Sequence, residues 1–120
     1  MKLNLRWTLG VALAVVGALL LGGIAVSGTN QTSDVAATWV SQRGREFMPG
    51  HVTIQRGETL NIVNDDGDFT HHAYVDTPAF SFDSSDQQPG KSVQIRFTRS
   101  GEFNVLCGIH PKMRLNVIVK

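Results

Sequence analysis

A chain of 120 residues has room for one folded domain of ordinary size. Its 11 Lys and Arg nearly balance its 10 Asp and Glu, so composition gives no argument for nucleic acid as a partner. A single cysteine, Cys107, excludes an internal disulfide and leaves a thiol that needs another explanation.

Taken from the N-terminus, Trp7 to Val26 are almost wholly apolar, and Lys2 and Arg6 flank this run on its N-terminal side only. The positive flank stays in the cytoplasm, so the chain beyond Val26 is expected to cross outward. Residues 1–27 read as one hydrophobic helix with two competing fates. Small residues at Ala25 and Ser27 suit cleavage as a signal peptide. The run also reaches the roughly 20 residues that span a bilayer, which suits an uncleaved signal anchor. Either way the remainder is expected outside the cytoplasm, in the periplasm or on the outer face of the membrane, with membrane contact only through the uncleaved segment. Residues 28–34 are mostly small and polar and read as a flexible tether. Residues 35–120 read as the folded domain.

From there on, no apolar pattern of helical period persists, and alternation with period two recurs. A first strand is expected between Val35 and Gln42. His51 to Arg56 aligns Val52 with Ile54, and Thr59 to Asn64 aligns Leu60 with Ile62. Ser92 to Phe97 aligns Val93, Ile95 and Phe97. Glu102 to Cys107 aligns Phe103, Val105 and Cys107, and Met113 to Val119 aligns Met113, Leu115, Val117 and Val119. Turn signals separate the runs, among them Arg43-Gly44, Arg56-Gly57, Gln88-Pro89-Gly90 and Ser100-Gly101. Short strands at this spacing predict an all-β domain, a Greek-key antiparallel β-sandwich.

The last two runs frame the chemistry. Cys107, His110 and Met113 fall three residues apart, and parity points both sulfur side chains inward at the facing ends of two strands. His110 lies midway in the connecting loop, next to the stiffening Pro111. Upstream, His71-His72 offers a second imidazole at another strand edge. Taken singly, each residue has an ordinary explanation: a buried inert thiol, a core methionine, a surface histidine. Together they are the ligand set of a copper centre for electron transfer, two His and one Cys in a plane with a weak axial Met. Zinc accepts Cys and His, but a structural zinc site wants four strong donors, and thioether is a poor one. A Cys/His nucleophilic enzyme would need an orienting third group and an oxyanion hole, and neither has a motif here. Asp65, Asp66 and Asp68 read as a solvated acidic turn, because the pattern around them is not that of a calcium loop.

At these residues the chain resembles the cupredoxins, the small blue copper proteins, over about residues 35–120. The short Cys-x-x-His-x-x-Met loop resembles the amicyanin type more than the plastocyanin or pseudoazurin types, whose loops are longer between His and Met. Thr70-His71-His72-Ala73-Tyr74 resembles the segment that supplies the family's first ligand. The resemblance implies one copper ion, Cu(I)/Cu(II), held by His71, Cys107, His110 and Met113. His72 stands where the family usually has Asn, and is the alternative source of the first imidazole. The implied function is one-electron transfer between transient redox protein donors and acceptors, by a monomer that is no enzyme. A copper-delivery protein of the same fold is the alternative. The mid-loop position of His110 predicts electron passage through its edge, inside an apolar rim drawn from Ile109, Pro111, Met48, Pro49 and Phe80.

Overall fold

The computed structural model describes residues 37–120. The expected hydrophobic helix at 1–27, the tether at 28–34 and the first residues of the domain lie outside the described residues. The described residues form nine strands: β1 Thr38–Arg43, β2 Glu46–Met48, β3 His51–Ile54, β4 Thr59–Asn64, β5 His71–Asp76, β6 Ser81–Gln87, β7 Ser92–Arg96, β8 Gly101–Cys107 and β9 Arg114–Val119. They make two sheets, in the orders β2-β1-β4-β7 and β3-β9-β8-β5-β6.

The alternating side chains fill the space between the sheets. Val40, Leu60, Ile62 and Ile95 face inward from the first sheet. Val52, Ile54, Val105, Leu115, Val117 and Val119 face them from the second. Each such side chain removed from water stabilises the fold by about 1.5–3 kcal/mol. Phe80, Phe97 and Phe103 pack ring on ring with centroids 4.9 to 5.7 Å apart. Phe103 lies near the start of β8, so this aromatic cluster sits toward the opposite end of that strand from Cys107.

The sandwich is all strand, as expected, but both sheets are mixed rather than purely antiparallel. β1 pairs with β4 in parallel, and β3 pairs with β9 in parallel. Neither pair is joined by a hairpin, so the chain is free to enter these ladders in either direction. Alternation along a strand is the same in both cases and carries no signal of direction.

Three elements position the site. At the β1–β2 turn, Gly44 and Arg45 both have left-handed backbone, with φ of 62° and 60°. That is the two-residue hairpin turn whose twist matches the flanking strands, here closed by the pair Arg43 and Glu46. The residues between β4 and β5 fold around the buried Asn64. Its amide Nδ2 donates to the carbonyls of Phe69 and Gln87, each at 2.8 Å, and its Oδ1 accepts from Asp66 N at 3.0 Å. The third element is the β8–β9 loop, closed by Met113 N donating to the His110 carbonyl at 3.0 Å.

Candidate metal centre

Antiparallel register decides which side chains meet. On β5 and β8, Ala73 stands opposite Cys107, so His71, two residues along β5 from Ala73, shares the inward face of Cys107. On β8 and β9, Leu106 stands opposite Arg114, which makes Cys107 and Met113 the next facing positions. His71, Cys107 and Met113 are buried, at 0%, 2% and 2% exposure. His110 closes the group from the loop and is half-buried.

The three strong donors converge. Cys107 Sγ lies 3.8 Å from His71 Nδ1 and 3.8 Å from His110 Nδ1, and the two Nδ1 atoms are 3.1 Å apart. Bonds of about 2.3 Å to sulfur and about 2.0–2.1 Å to imidazole nitrogen, about 120° apart in one plane, put S and N about 3.8 Å apart. The two S–N edges match that spacing. The N–N edge of 3.1 Å is shorter than the about 3.5 Å that such a plane gives, so the two imidazoles stand closer together than an even triangle places them. The three donor atoms are therefore spaced to hold one metal ion between them. The backbone N–H of His110 points at Cys107 Sγ from 3.4 Å, a weak donor that suits a sulfur bearing negative charge.

Around this triangle the surroundings differ for each imidazole. His71 Nε2 lies 2.7 Å from Asp66 Oδ2. A carboxylate only accepts, so Nε2 carries the hydrogen and Nδ1 is the ring nitrogen that faces the centre. Asp66 also accepts from Gly44 N at 2.8 Å and from Arg45 N at 3.4 Å. Partial burial works to raise the Asp66 pKa. The bonds from Gly44, His71 and Arg45 outweigh it and hold the carboxyl below its usual range. His110 is held below the usual histidine range, first by burial and then by the neighbouring His71 and Arg45. Phe69 meets the His110 ring edge to face, 5.9 Å between centroids, and the Arg45 guanidinium lies 4.4 Å over Phe69.

His72 points to the other face of β5. Its Nε2 lies 2.7 Å from Asp83 Oδ1, and its ring lies against Gly108, whose N–H donates to the His72 carbonyl at 3.2 Å. It thus ties β5 to the loop that carries His110.

Two features of the site carry no signal in the sequence. Asp66 is no solvated turn residue, because one carboxylate oxygen is committed to His71. Phe80 is no part of the rim, because it packs on Phe97 and Phe103. Phe69 takes its place beside His110, with Met48 and Ile109 also exposed. Periodicity marks neither Asp66 nor Phe69, since the β4–β5 loop is irregular.

No protein-family model matches the chain. It is 34% identical over 74 residues to chloroplastic plastocyanin of Chlamydomonas reinhardtii, covering 54% of this chain and 50% of that protein. It is 36% identical over 77 residues to the methylamine utilization protein MauL of Methylophilus methylotrophus, covering 62% of this chain and 44% of that one. The chain thus spans about half the length of the curated relatives it matches. Among solved structures, amicyanin of Paracoccus versutus superposes with a TM-score of 0.65 at 26% identity, over 72% of this chain and 83% of that one. A Cu-containing nitrite reductase from Thermus scotoductus superposes with a TM-score of 0.64 at 29% identity, over 70% of this chain and 22% of that one.

Proposed function

We propose that this chain, a cupredoxin by fold, is a blue copper protein that carries single electrons between larger redox proteins outside the cytoplasm. The observation that carries this reading is the buried triangle of His71 Nδ1, Cys107 Sγ and His110 Nδ1. These three side chains would hold one copper ion, with the buried Met113 thioether as a further, weaker donor. Copper, when bound, supplies reversible one-electron chemistry.

The chain's own residues do the rest. The soft sulfurs of Cys107 and Met113 favour the reduced ion. Burial of both sulfurs keeps water from the centre and limits reorganisation when the charge changes. His110 is the ligand nearest the surface, and its edge, beside Ile109, Pro111 and Phe69, is the route for electrons. A small apolar mouth of this kind suits a weak, short-lived encounter with a redox partner. In this reading residues 1–27 deliver the domain across the membrane as a leader or anchor, residues 28–34 tether it, and residues 35–120 act as a monomer. The chain makes and breaks no substrate bonds.

Adding Cu(II) to metal-free protein is expected to produce an intense blue charge-transfer absorption that Cys107→Ser abolishes. Wild-type protein that stays colourless refutes the reading. Fast reversible voltammetry with slow metal loss is the carrier's signature. Rapid exchange of copper with a chelator, without reversible voltammetry, identifies copper delivery instead.

A further inference from the structure

We propose that Asp66 sets the reduction potential of this centre, by fixing the hydrogen of His71 on Nε2 and lending its negative charge to that ring. The inference rests on the reading of His71 as a copper ligand and goes beyond it, to a residue that touches no metal. Asp66 is a positioning residue, acting through His71.

The geometry is that of a built contact rather than a chance approach on the surface. His71 is fully buried and the Asp66 side chain is only 11% exposed, with 2.7 Å between Nε2 and Oδ2. Both partners are held from behind. His71 opens β5 opposite Gln87 in the ladder. Asp66 is held through its own N–H on Asn64 Oδ1, and through the N–H groups of Gly44 and Arg45 on its carboxylate. Those two N–H groups face it because the β1–β2 turn takes left-handed backbone at both residues. For Arg45, which carries a Cβ, that conformation is disfavoured. The turn thus spends backbone strain on presenting two donors to one carboxylate.

The charge of Asp66 is consequently stabilised by dipoles and not cancelled by a cation. Among the described residues, its hydrogen-bond donors are backbone groups and His71, and the nearby Arg45 guanidinium lies over Phe69 instead. A carboxylate that accepts from the outer N–H of a ligating imidazole makes that imidazole a stronger donor. The stronger donor favours the doubly charged ion over the singly charged one, which lowers the potential. His110 has no such partner among the described residues: its ring meets Phe69, His71 and Cys107. The two imidazoles are therefore unequal, one tied to a carboxylate in the interior and one free for electron transfer at the surface.

Asp66→Asn tests this directly. With its amide oxygen turned to His71 it still accepts from Nε2, while its amide nitrogen faces Gly44 N–H, so the charge and one turn contact are lost together. Removing such a partner typically costs 10–100-fold in metal affinity. A tenfold loss that falls on Cu(II) alone raises the potential by about 59 mV for one electron. The expected result is a rise of that order in Asp66→Asn. Asp68→Asn, an exposed change of the same charge in the same loop, is expected to leave the potential unchanged. Asp66→Ser, which retains an acceptor for the turn, serves if Asp66→Asn does not fold. In metal-free wild type, nitrogen NMR of His71 is expected to show the hydrogen on Nε2. A wild type that turns blue with copper but whose metal-free form carries the hydrogen on Nδ1, or Asp66→Asn and Asp68→Asn equal in potential, overturns the proposal and leaves the copper reading standing. A wild type that takes no copper overturns both.

Discussion

Gly108 and His72 are in contact such that a Cβ at Gly108 would come within 2.9 Å of Nδ1 in the His72 ring. The ring cannot readily turn aside, because its Nε2 is bonded to Asp83. Gly108→Ala is therefore expected to cost about 1–3 kcal/mol, the usual range for overpacking. The loss reads as a lower urea midpoint at unchanged slope. In Gly108→Ala/His72→Ala the added methyl has no ring to meet, so the glycine change becomes nearly neutral. An equal cost in both backgrounds disproves the contact's role.

The two adjacent histidines are expected to separate cleanly on substitution. His71→Ala removes one corner of the triangle, and the blue colour with it. His72→Ala removes a side chain from the opposite face of β5, so the colour stays while stability drops by about 1 kcal/mol, the worth of one side-chain hydrogen bond. Titration of both variants with Cu(II) decides the matter. Loss of the colour in His72→Ala alone would assign the ligand to His72 instead.

The proposed electron passage at His110 makes Ile109 a sensitive position. Ile109→Asp places a charge at the apolar mouth beside the exposed edge, and is expected to slow electron self-exchange between copies at least tenfold, or about 1.4 kcal/mol of barrier. Its absorption spectrum should be that of wild type. Phe80→Ala should do the reverse, with self-exchange unaltered and stability reduced by roughly 3 kcal/mol. Self-exchange is measured by NMR line broadening in mixtures of the two redox states. A fast Ile109→Asp variant excludes this surface.

Acid should weaken the metal-free domain in two stages. His110 in the folded state is held below its ordinary value of 6.5, first by burial and then by His71 and Arg45. As pH falls through 6.5 the unfolded chain takes up the proton first, so stability declines from there down to the folded pKa. Asp66 is depressed below 3.8, since the bonds from Gly44, His71 and Arg45 outweigh the opposing effect of burial. Its contribution is complete above 3.8 and is lost as pH falls through the folded value. Thermal melting of metal-free protein should be flat near neutrality and decline below about pH 6.5, with His110→Gln removing the first decline. A melting temperature that rises between neutrality and pH 5 contradicts this.

The strands that read clearly in the sequence are those whose apolar side chains alternate along one face. β4 runs from Thr59 to Asn64, as its alternation predicts, and the inward parity of Phe103, Val105 and Cys107 on β8 holds at all three positions. β6 was not legible. Ser-Phe-Asp-Ser-Ser-Asp-Gln is an edge strand, mostly exposed, and so carries no apolar period. Its polar, acidic character is what keeps an unpaired edge in solution. β2 has only three residues, too few for any period to register.

The candidate site divides along the same line. Cys107, His110 and Met113 lie within one strand-loop-strand unit, where spacing and parity alone bring the two sulfurs inward and leave the imidazole between them. The sequence by itself determined that much, because the backbone period of a strand is local. The resemblance favours His71 over His72, and only the assembled sheets turn it toward the sulfur, set Asp66 behind it and bring Phe69 and Arg45 beside His110. Those contacts depend on the register between β5 and β8 and on a hairpin turn more than twenty residues away in the chain. Register is a property of the assembled sheets, and no stretch of neighbouring residues encodes it.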